Sequence, residues 1–260
     1  MELRAAAYQM PVESSIEANF ERIATAIKEA ARNSARILAL PECALSGYPP
    51  HFYSSPDEIP AVEIAELNTE VARLAGEHGL WVVMGTVLMS SEGLLNSALV
   101  VDDSGNIAGK YDKLHLMPDD YRFFAPGFGV PLFEIDGVPF GIQICYDARF
   151  PEGFRYLREN GALLVFNISN ACRGEAWKRP VLEGTYRTRA SENSMFLVAV
   201  NACDPEQMAT SRVCDPVGLD LAVAEPDAEV MLFADLDFRR TYHGYFDDRR
   251  TDQFRVQPLF

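Results

Sequence analysis

Short apolar runs alternate with stretches of helical spacing along this chain, and that alternation restricts the fold more than any other feature. The run "LRAAAYQM" has strand character. After it, Ser14 and Ser15 offer helix caps. Ile16, Phe20, Ile23 and Ile27 follow at spacings of 4, 3 and 4, which puts them on one helical face. "ARILALPE" is a second apolar strand, ending at Pro41. Residues 63–78 carry Ile64, Leu67, Val71 and Leu74 on one face of a further helix, and "LWVVMGTVLM" is again a strand. The pattern then changes to hairpins. "LLNSALVVDDSGNIAGKYDK" turns at Asp103-Ser104-Gly105-Asn106, and "VPLFEIDGVPFGIQIC" turns at Asp136-Gly137. Helix and strand alternate once more through "GFRYLRENGALLVFNIS" and "LEGTYRTRASENSMFLVAVN", and hairpin-like strands return from about Ser211. The expected architecture is mixed α/β, with helices covering sheets.

No repeat, low-complexity linker or shift of composition divides the chain. Residues 1–260 are therefore expected to form one domain, with residues from about 240 to 260 as a polar arm. The formal net charge is -15, and basic residues cluster only in pairs such as Arg239-Arg240 and Arg249-Arg250, which argues against a nucleic-acid partner. No run reaches the roughly 18 apolar residues of a membrane span. The N-terminus, with Glu2 ahead of a very short apolar run, lacks the pattern of a secretory signal. The cysteines (Cys43, Cys145, Cys172, Cys203, Cys214) are odd in number and have no paired spacing. They point to reduced thiols in the cytoplasm rather than to a disulfide framework. His51, His78, His115 and His243 are scattered, and neither HExxH nor CxxC occurs, so a metal site finds little support.

Three positions carry candidate chemistry. Cys145 ends the apolar run "PFGIQIC", just before a helix that starts near Pro151. Nucleophiles are often displayed in such strand-to-helix turns, where backbone N–H groups can lower a thiol pKa; the plainer reading is a buried, inert thiol. Glu42 follows an apolar strand and Pro41, at the strand end where open sheets place functional groups; the plainer reading is a solvated loop carboxylate. Lys113 lies between two hairpin-like regions and is flanked by Leu114 and Leu116; the plainer reading is a surface lysine whose stem packs on apolar neighbours. Together they form a hydrolytic set. The carboxylate takes the thiol proton, and the ammonium and a backbone N–H stabilise an oxyanion.

The order of these segments resembles the nitrilase superfamily of carbon-nitrogen hydrolases. The resemblance runs from Gln9 through "PECALSGYPP", "NSALVVDDSGNIAGKYDKLHL", "FAPG" and "GIQICYDARFPE" to "RTRASENSMFLVAVN", "SRVCDPVG" and "YFDDRR". It implies a four-layer αββα sandwich. It also implies Glu42 as general base, Lys113 as oxyanion-stabilising lysine, Cys145 as nucleophile and the Tyr146 backbone N–H as second oxyanion donor. Pairing into a homodimer or larger homo-oligomer through the helical face after the nucleophile is implied too, without metal or cofactor. Many members carry a second, substrate-positioning glutamate about seven residues after the lysine. Here that place holds Asp120, one methylene shorter, beside Asp119, and a solvated turn is the plainer reading of that pair. Cys172, Tyr48 and His115 fall in regions that would line the pocket, Glu192 and Asn193 in a polar region behind it. Cys43, Cys203 and Cys214 are taken as packing residues.

The resemblance therefore implies a small-molecule amide substrate, cleaved to acid and ammonia through a thioester. "CYD" resembles the amidase and carbamoylase branches more than the nitrilase branch. Hydrolysis of N-carbamoyl amines is the alternative within that reading, and a nitrilase is further off. A non-catalytic interaction module that keeps the fold is the alternative outside it.

Overall fold

A computed structural model of the protein describes residues 1–171, 177–204, 207–239 and 245–253. Its elements run in the order the alternation predicts. They are β1 (Glu2–Gln9), α1 (Ile16–Arg32), β2 (Ile37–Ala39), α2 (Pro49–Phe52), α3 (Ala61–His78), β3 (Trp81–Ser90), β4 (Gly93–Val101) and β5 (Ile107–Asp112). After them come β6 (Phe133–Ile135), β7 (Val138–Ile144), α4 (Pro151–Glu159), β8 (Leu164–Ser169), α5 (Lys178–Asn193), β9 (Phe196–Asn201), β10 (Arg212–Cys214), β11 (Asp220–Val223) and β12 (Val230–Asp237). Ser15 caps α1, its side chain accepting from the Ala18 N–H at 3.2 Å.

The strands form two six-stranded sheets, ordered β12-β1-β2-β3-β4-β5 and β11-β10-β9-β8-β7-β6. In each, three central strands are parallel and joined through helices, and the outer strands are antiparallel. Parallel neighbours need such a crossover, which explains why helices separate β1, β2 and β3, and again β7, β8 and β9.

Period-two alternation sorts the side chains into three apolar layers. In β2, Leu38 meets α1 and α3, while Ile37 and Ala39 meet the second sheet. In β8, Leu164, Phe166 and Ile168 face the first sheet, while Val165 packs with Phe154 and Leu157 of α4 and Leu182 of α5. The result is helices, sheet, sheet, helices: the expected four-layer sandwich. Among the described residues no helix is long and apolar enough to cross a membrane.

The predicted hairpins at Asp103–Asn106 and Asp136-Gly137 form as β4–β5 and β6–β7. A further hairpin, β3–β4, turns between Ser90 and Gly93 and was not among the expected ones. The polar arm is described only at 245–253, where Phe246 lies under the guanidinium of Arg249 at 4.0 Å and near those of Arg155 and Arg158 on α4.

Candidate active site

The carboxyl ends of strands from both sheets converge on one place. Glu42 follows β2, with Leu40 and Pro41 between. Lys113 follows β5 directly, Cys145 follows β7 and Asn170 follows β8. Glu42 and Lys113 thus come from one sheet, and Cys145 and Asn170 from the other.

Glu42 is fully buried, which removes the solvated-loop reading. Its Oε1 accepts from Lys113 Nζ and from Asn96 Nδ2, both at 2.7 Å, and its Oε2 accepts from the Asn170 backbone N–H at 2.9 Å. Lys113 is equally buried, so it is not a surface lysine. It donates to Asp120 Oδ2 at 2.8 Å as well as to Glu42. Burial pulls the Lys113 pKa down, but the charges of Glu42 and Asp120 outweigh it and hold the ammonium well above its ordinary value. It is a permanent cation.

Asp120 is buried too, which removes the solvated-turn reading. A 3-10 turn over Asp120–Arg122 brings its backbone close enough for the short side chain to reach Lys113. The same carboxylate accepts from the Met117 N–H at 2.9 Å and from the Tyr48 hydroxyl. Burial, then the charges of Glu42 and Asp120, raise the Tyr48 pKa, so the phenol keeps its proton and donates it. Asp119, not Asp120, lines the cavity.

Cys145 opens a 3-10 turn, Cys145–Arg149, with φ of +47°. That left-handed backbone is unfavourable for a residue with a Cβ, and such strain tends to be kept where a side chain must be aimed. Asp147 holds the turn. Its Oδ2 accepts from the Ile144 N–H at 3.0 Å and the Tyr111 hydroxyl at 2.8 Å, and its Oδ1 accepts from the His115 N–H at 2.9 Å. Arg189 of α5 donates to the Ala148 carbonyl at 3.2 Å and pairs with Glu192 at 2.7 Å. Glu192 thus acts on the turn through Arg189. Asn193 donates to the Arg189 carbonyl at the end of α5. The leading N–H groups of such a turn, those of Cys145 and Tyr146, have no partner within it.

The Cys145 thiol is partly exposed and faces a cavity of about 430 Å³. Burial first, then the negative charge of Glu42, push its pKa well above the ordinary thiol value. At neutral pH it is a neutral thiol with Glu42 within hydrogen-bonding reach. A lowered pKa, the expectation from nearby N–H groups alone, is not what this setting produces. The arrangement instead suits proton removal by Glu42 as the sulfur attacks.

Tyr48 and Tyr146 line the cavity, with Met117, Arg149, Asn170 and Lys178 among the others. Cys172 lies outside the described residues. His115 is not in the lining: its Nδ1 faces Asp147 Oδ1 at 2.8 Å, and its ring stacks on Phe150 at 3.9 Å. Cys43, Cys203 and Cys214 are buried free thiols. Sequence reasoning missed Asn96 and Asn170. Asn96, with Ser97 beside it, interrupts the largely apolar β4, and that was its signal; Asn170 acts through its backbone and gives none.

The family model for carbon-nitrogen hydrolases matches residues 4–243. The omega-amidase of Xenopus tropicalis is 30% identical, over 87% of this chain and 84% of that protein. A nitrilase of Pyrococcus abyssi is 28% identical, over 91% and 92%. The crystal structure of an amidase from Nesterenkonia sp. superposes with a TM-score of 0.84 at 25% identity, covering 96% of this chain and 94% of that one. A variant of the Nesterenkonia amidase shows covalent addition of the acetamide moiety of fluoroacetamide at its active-site cysteine.

Proposed function

This chain belongs to the carbon-nitrogen hydrolase family, and we propose that within it the protein is an amidase that cleaves a small linear amide to acid and ammonia through a thioester on Cys145. The observation that carries this reading is the contact set around Glu42. One buried carboxylate lies 2.7 Å from the Lys113 ammonium and within reach of the Cys145 thiol, which itself lines the cavity.

Glu42 takes the thiol proton as Cys145 Sγ attacks the amide carbonyl carbon. The oxyanion forms beside Lys113 Nζ and the Tyr146 N–H. Asp120 and Tyr48 position Lys113. Glu42 then returns the proton to the amide nitrogen, the C–N bond breaks, and ammonia leaves. A water enters, Glu42 removes its proton, and its oxygen attacks the thioester. The C–S bond breaks, the acid departs, and the proton on Glu42 returns to the sulfur.

The reading includes the assembly and its setting. The chain pairs with a second copy through the outer face of α4 and α5, where Tyr156, Trp177 and Val181 stand exposed, and it works in the cytosol, where its free thiols stay reduced.

Ammonia release from short amides, carbamoyl amines and nitriles, measured for wild type and Cys145→Ala side by side, tests the assignment. Release from an amide that the variant abolishes is expected. Release of carbon dioxide with ammonia from a carbamoyl amine would move the assignment to that branch. No release from any compound by folded wild type would overturn it.

A further inference from the structure

The two oxygens of the Glu42 carboxylate are held unequally. Oε1 accepts from Lys113 Nζ and from Asn96 Nδ2, both at 2.7 Å, whereas Oε2 accepts from the Asn170 N–H at 2.9 Å. A carboxylate oxygen has two lone pairs, so Oε1 is filled and Oε2 keeps one place open. The Cys145 thiol lies within hydrogen-bonding reach of this carboxylate. Oε2 is therefore the oxygen with room for its proton.

Asn96 makes the difference between the two oxygens. It sits within β4, is only 1% exposed, and is not among the residues lining the cavity. Its carbonyl accepts from the Lys113 N–H at 2.9 Å while its side chain donates to Glu42, so one residue ties the backbone of the lysine to the base. Its Oδ1 is buried and, among the described residues, has no hydrogen-bond partner. A buried acceptor left unpaired lowers stability, and an apolar side chain in this largely apolar strand would avoid that loss. The asparagine instead places an N–H on Glu42, and such a donor favours the ionised carboxylate, the form able to take a proton.

We propose that Asn96 is a positioning residue of the reaction: with Lys113 it fills Oε1 of Glu42, which leaves Oε2 to carry the proton between Cys145, the leaving nitrogen and water. This rests on Glu42 serving as base in the amidase reading and adds which of its oxygens works. The partner of Oε2 is itself fixed. Gln207 Nε2 donates to Asn170 Oδ1 at 2.8 Å, and Asn201 Oδ1 accepts from the Ala171 N–H at 2.9 Å. The carboxylate is thus gripped from both sheets, by Asn96 on β4 of the first and by the segment after β8 of the second.

The test follows alkylation of Cys145 by iodoacetamide across about pH 4 to 9, read on the Cys145 peptide by mass spectrometry. The sulfur bonds to the reagent's methylene carbon, iodide leaves, and the thiol proton passes to Glu42, so the rate falls on the acid side once Glu42 is protonated. Around Glu42, the groups Lys113, Cys145, Cys43 and Tyr48 are all held above their ordinary values, so that limb is not theirs. Asp120 shares Lys113 with Glu42 but has no hydrogen bond to Asn96. Asn96→Leu removes the side-chain donor and keeps the carbonyl bond to Lys113; Asn96→Asp keeps the shape and sets a second carboxyl against Oε1. Both should move the acid limb to higher pH by about one unit or more. Both should also lower kcat for an amide about tenfold or more, with KM little changed because Asn96 is not in the cavity lining. Ser97→Ala is the control. That hydroxyl bonds Asp112, and its loss should leave the limb in place. A limb unmoved in both Asn96 variants, or moved as far by Ser97→Ala, would overturn the proposal. Should neither Asn96 variant fold, the side-chain amide resonances of Asn96 in wild type decide: they should shift with pH along the same limb, and resonances flat across it would overturn the proposal. Ammonia release with an unmoved limb would sink this inference alone; a moved limb without ammonia release from any amide would sink the amidase reading and leave Asn96 its hold on Glu42.

Discussion

Lys113 carries a full positive charge out of water between two carboxylates, Glu42 at 2.7 Å and Asp120 at 2.8 Å. Coulombic attraction in such a place only just offsets desolvation, so removing one partner is expensive, on the order of 3–5 kcal/mol. Asp120→Asn keeps the shape and removes the charge. It is expected to lower the unfolding free energy by a few kcal/mol, within that range, and to reduce kcat, because Lys113 loses half of what fixes it. Asp120→Glu makes the opposite test. The side chain already meets Lys113, Met117 and Tyr48, so an added methylene has no room and should cost about 1–3 kcal/mol. Chemical denaturation of both variants checks this, and a glutamate variant as stable as wild type would show that the pocket is slack. Glu42 and Cys145 stood out in the sequence because each follows an apolar strand, and Lys113 because Leu114 and Leu116 flank it; the roles expected of them came from the family resemblance. The full burial of Asp120 was not, because it depends on Tyr48, 72 residues away. Asn96 likewise gains its role only from Glu42, 54 residues away.

The carboxyl end of β2 can lie against β3 only because residue 85 has no side chain. A Cβ there would sit 2.2 Å from the Pro41 carbonyl oxygen, 2.4 Å from the Cys43 nitrogen and 2.6 Å from the Glu42 Cα. All three are backbone atoms, so the neighbour cannot give way by changing a rotamer. Gly85→Ala should therefore push the Glu42 backbone outward. A displacement on the order of 1 Å costs about 100-fold in rate, and kcat should fall by about that factor, more than KM changes. Steady-state kinetics on the folded variant tests this, and a wild-type kcat would refute the role given to this glycine. The strand itself was predicted from "LWVVMGTVLM", but the close approach was not, because it depends on which strand lies beside it. The β3–β4 turn escaped for a different reason. Only Ser90, Ser91, Glu92 and Gly93 mark it, between runs that both read as strand. Where Asp-Gly or Asp-Ser-Gly-Asn interrupted a run, the hairpin was evident.

The two sheets share one apolar layer, and the site sits where strand ends from both meet. Alternation along the chain announced helices over sheets; the stacking of one sheet on the other came from the family resemblance, since no local spacing records a partner across a core. The four thiols among the described residues also share one electrostatic state. Burial, ahead of neighbouring carboxylates, pushes Cys203 and Cys214 up to about 12, and raises Cys43 and Cys145 well above the ordinary value. In the unfolded chain these thiols titrate near 8.5. Above that pH the unfolded state loses protons that the folded state keeps, so the unfolded state binds fewer protons and stability falls as pH rises. Each thiol contributes a slope of up to about 1.4 kcal/mol per pH unit, beginning near pH 8.5 and, for Cys203 and Cys214, ending near 12. Several such groups acting together are a large fraction of a typical stability of about 5–15 kcal/mol. The urea midpoint of the reduced protein should therefore drop steeply between about pH 9 and 11. Growing repulsion within so acidic a chain pulls the same way, and the raised tyrosines Tyr8, Tyr48, Tyr111 and Tyr186 add to the slope above about pH 10. A Cys203→Ala, Cys214→Ala variant separates these contributions. It keeps the repulsion and the tyrosines but loses two thiols, so its midpoint should start lower at pH 8 and fall more gently. Parallel curves for variant and wild type would mean that the two thiols titrate alike in both states, and that the alkaline loss belongs to charge repulsion and the tyrosines.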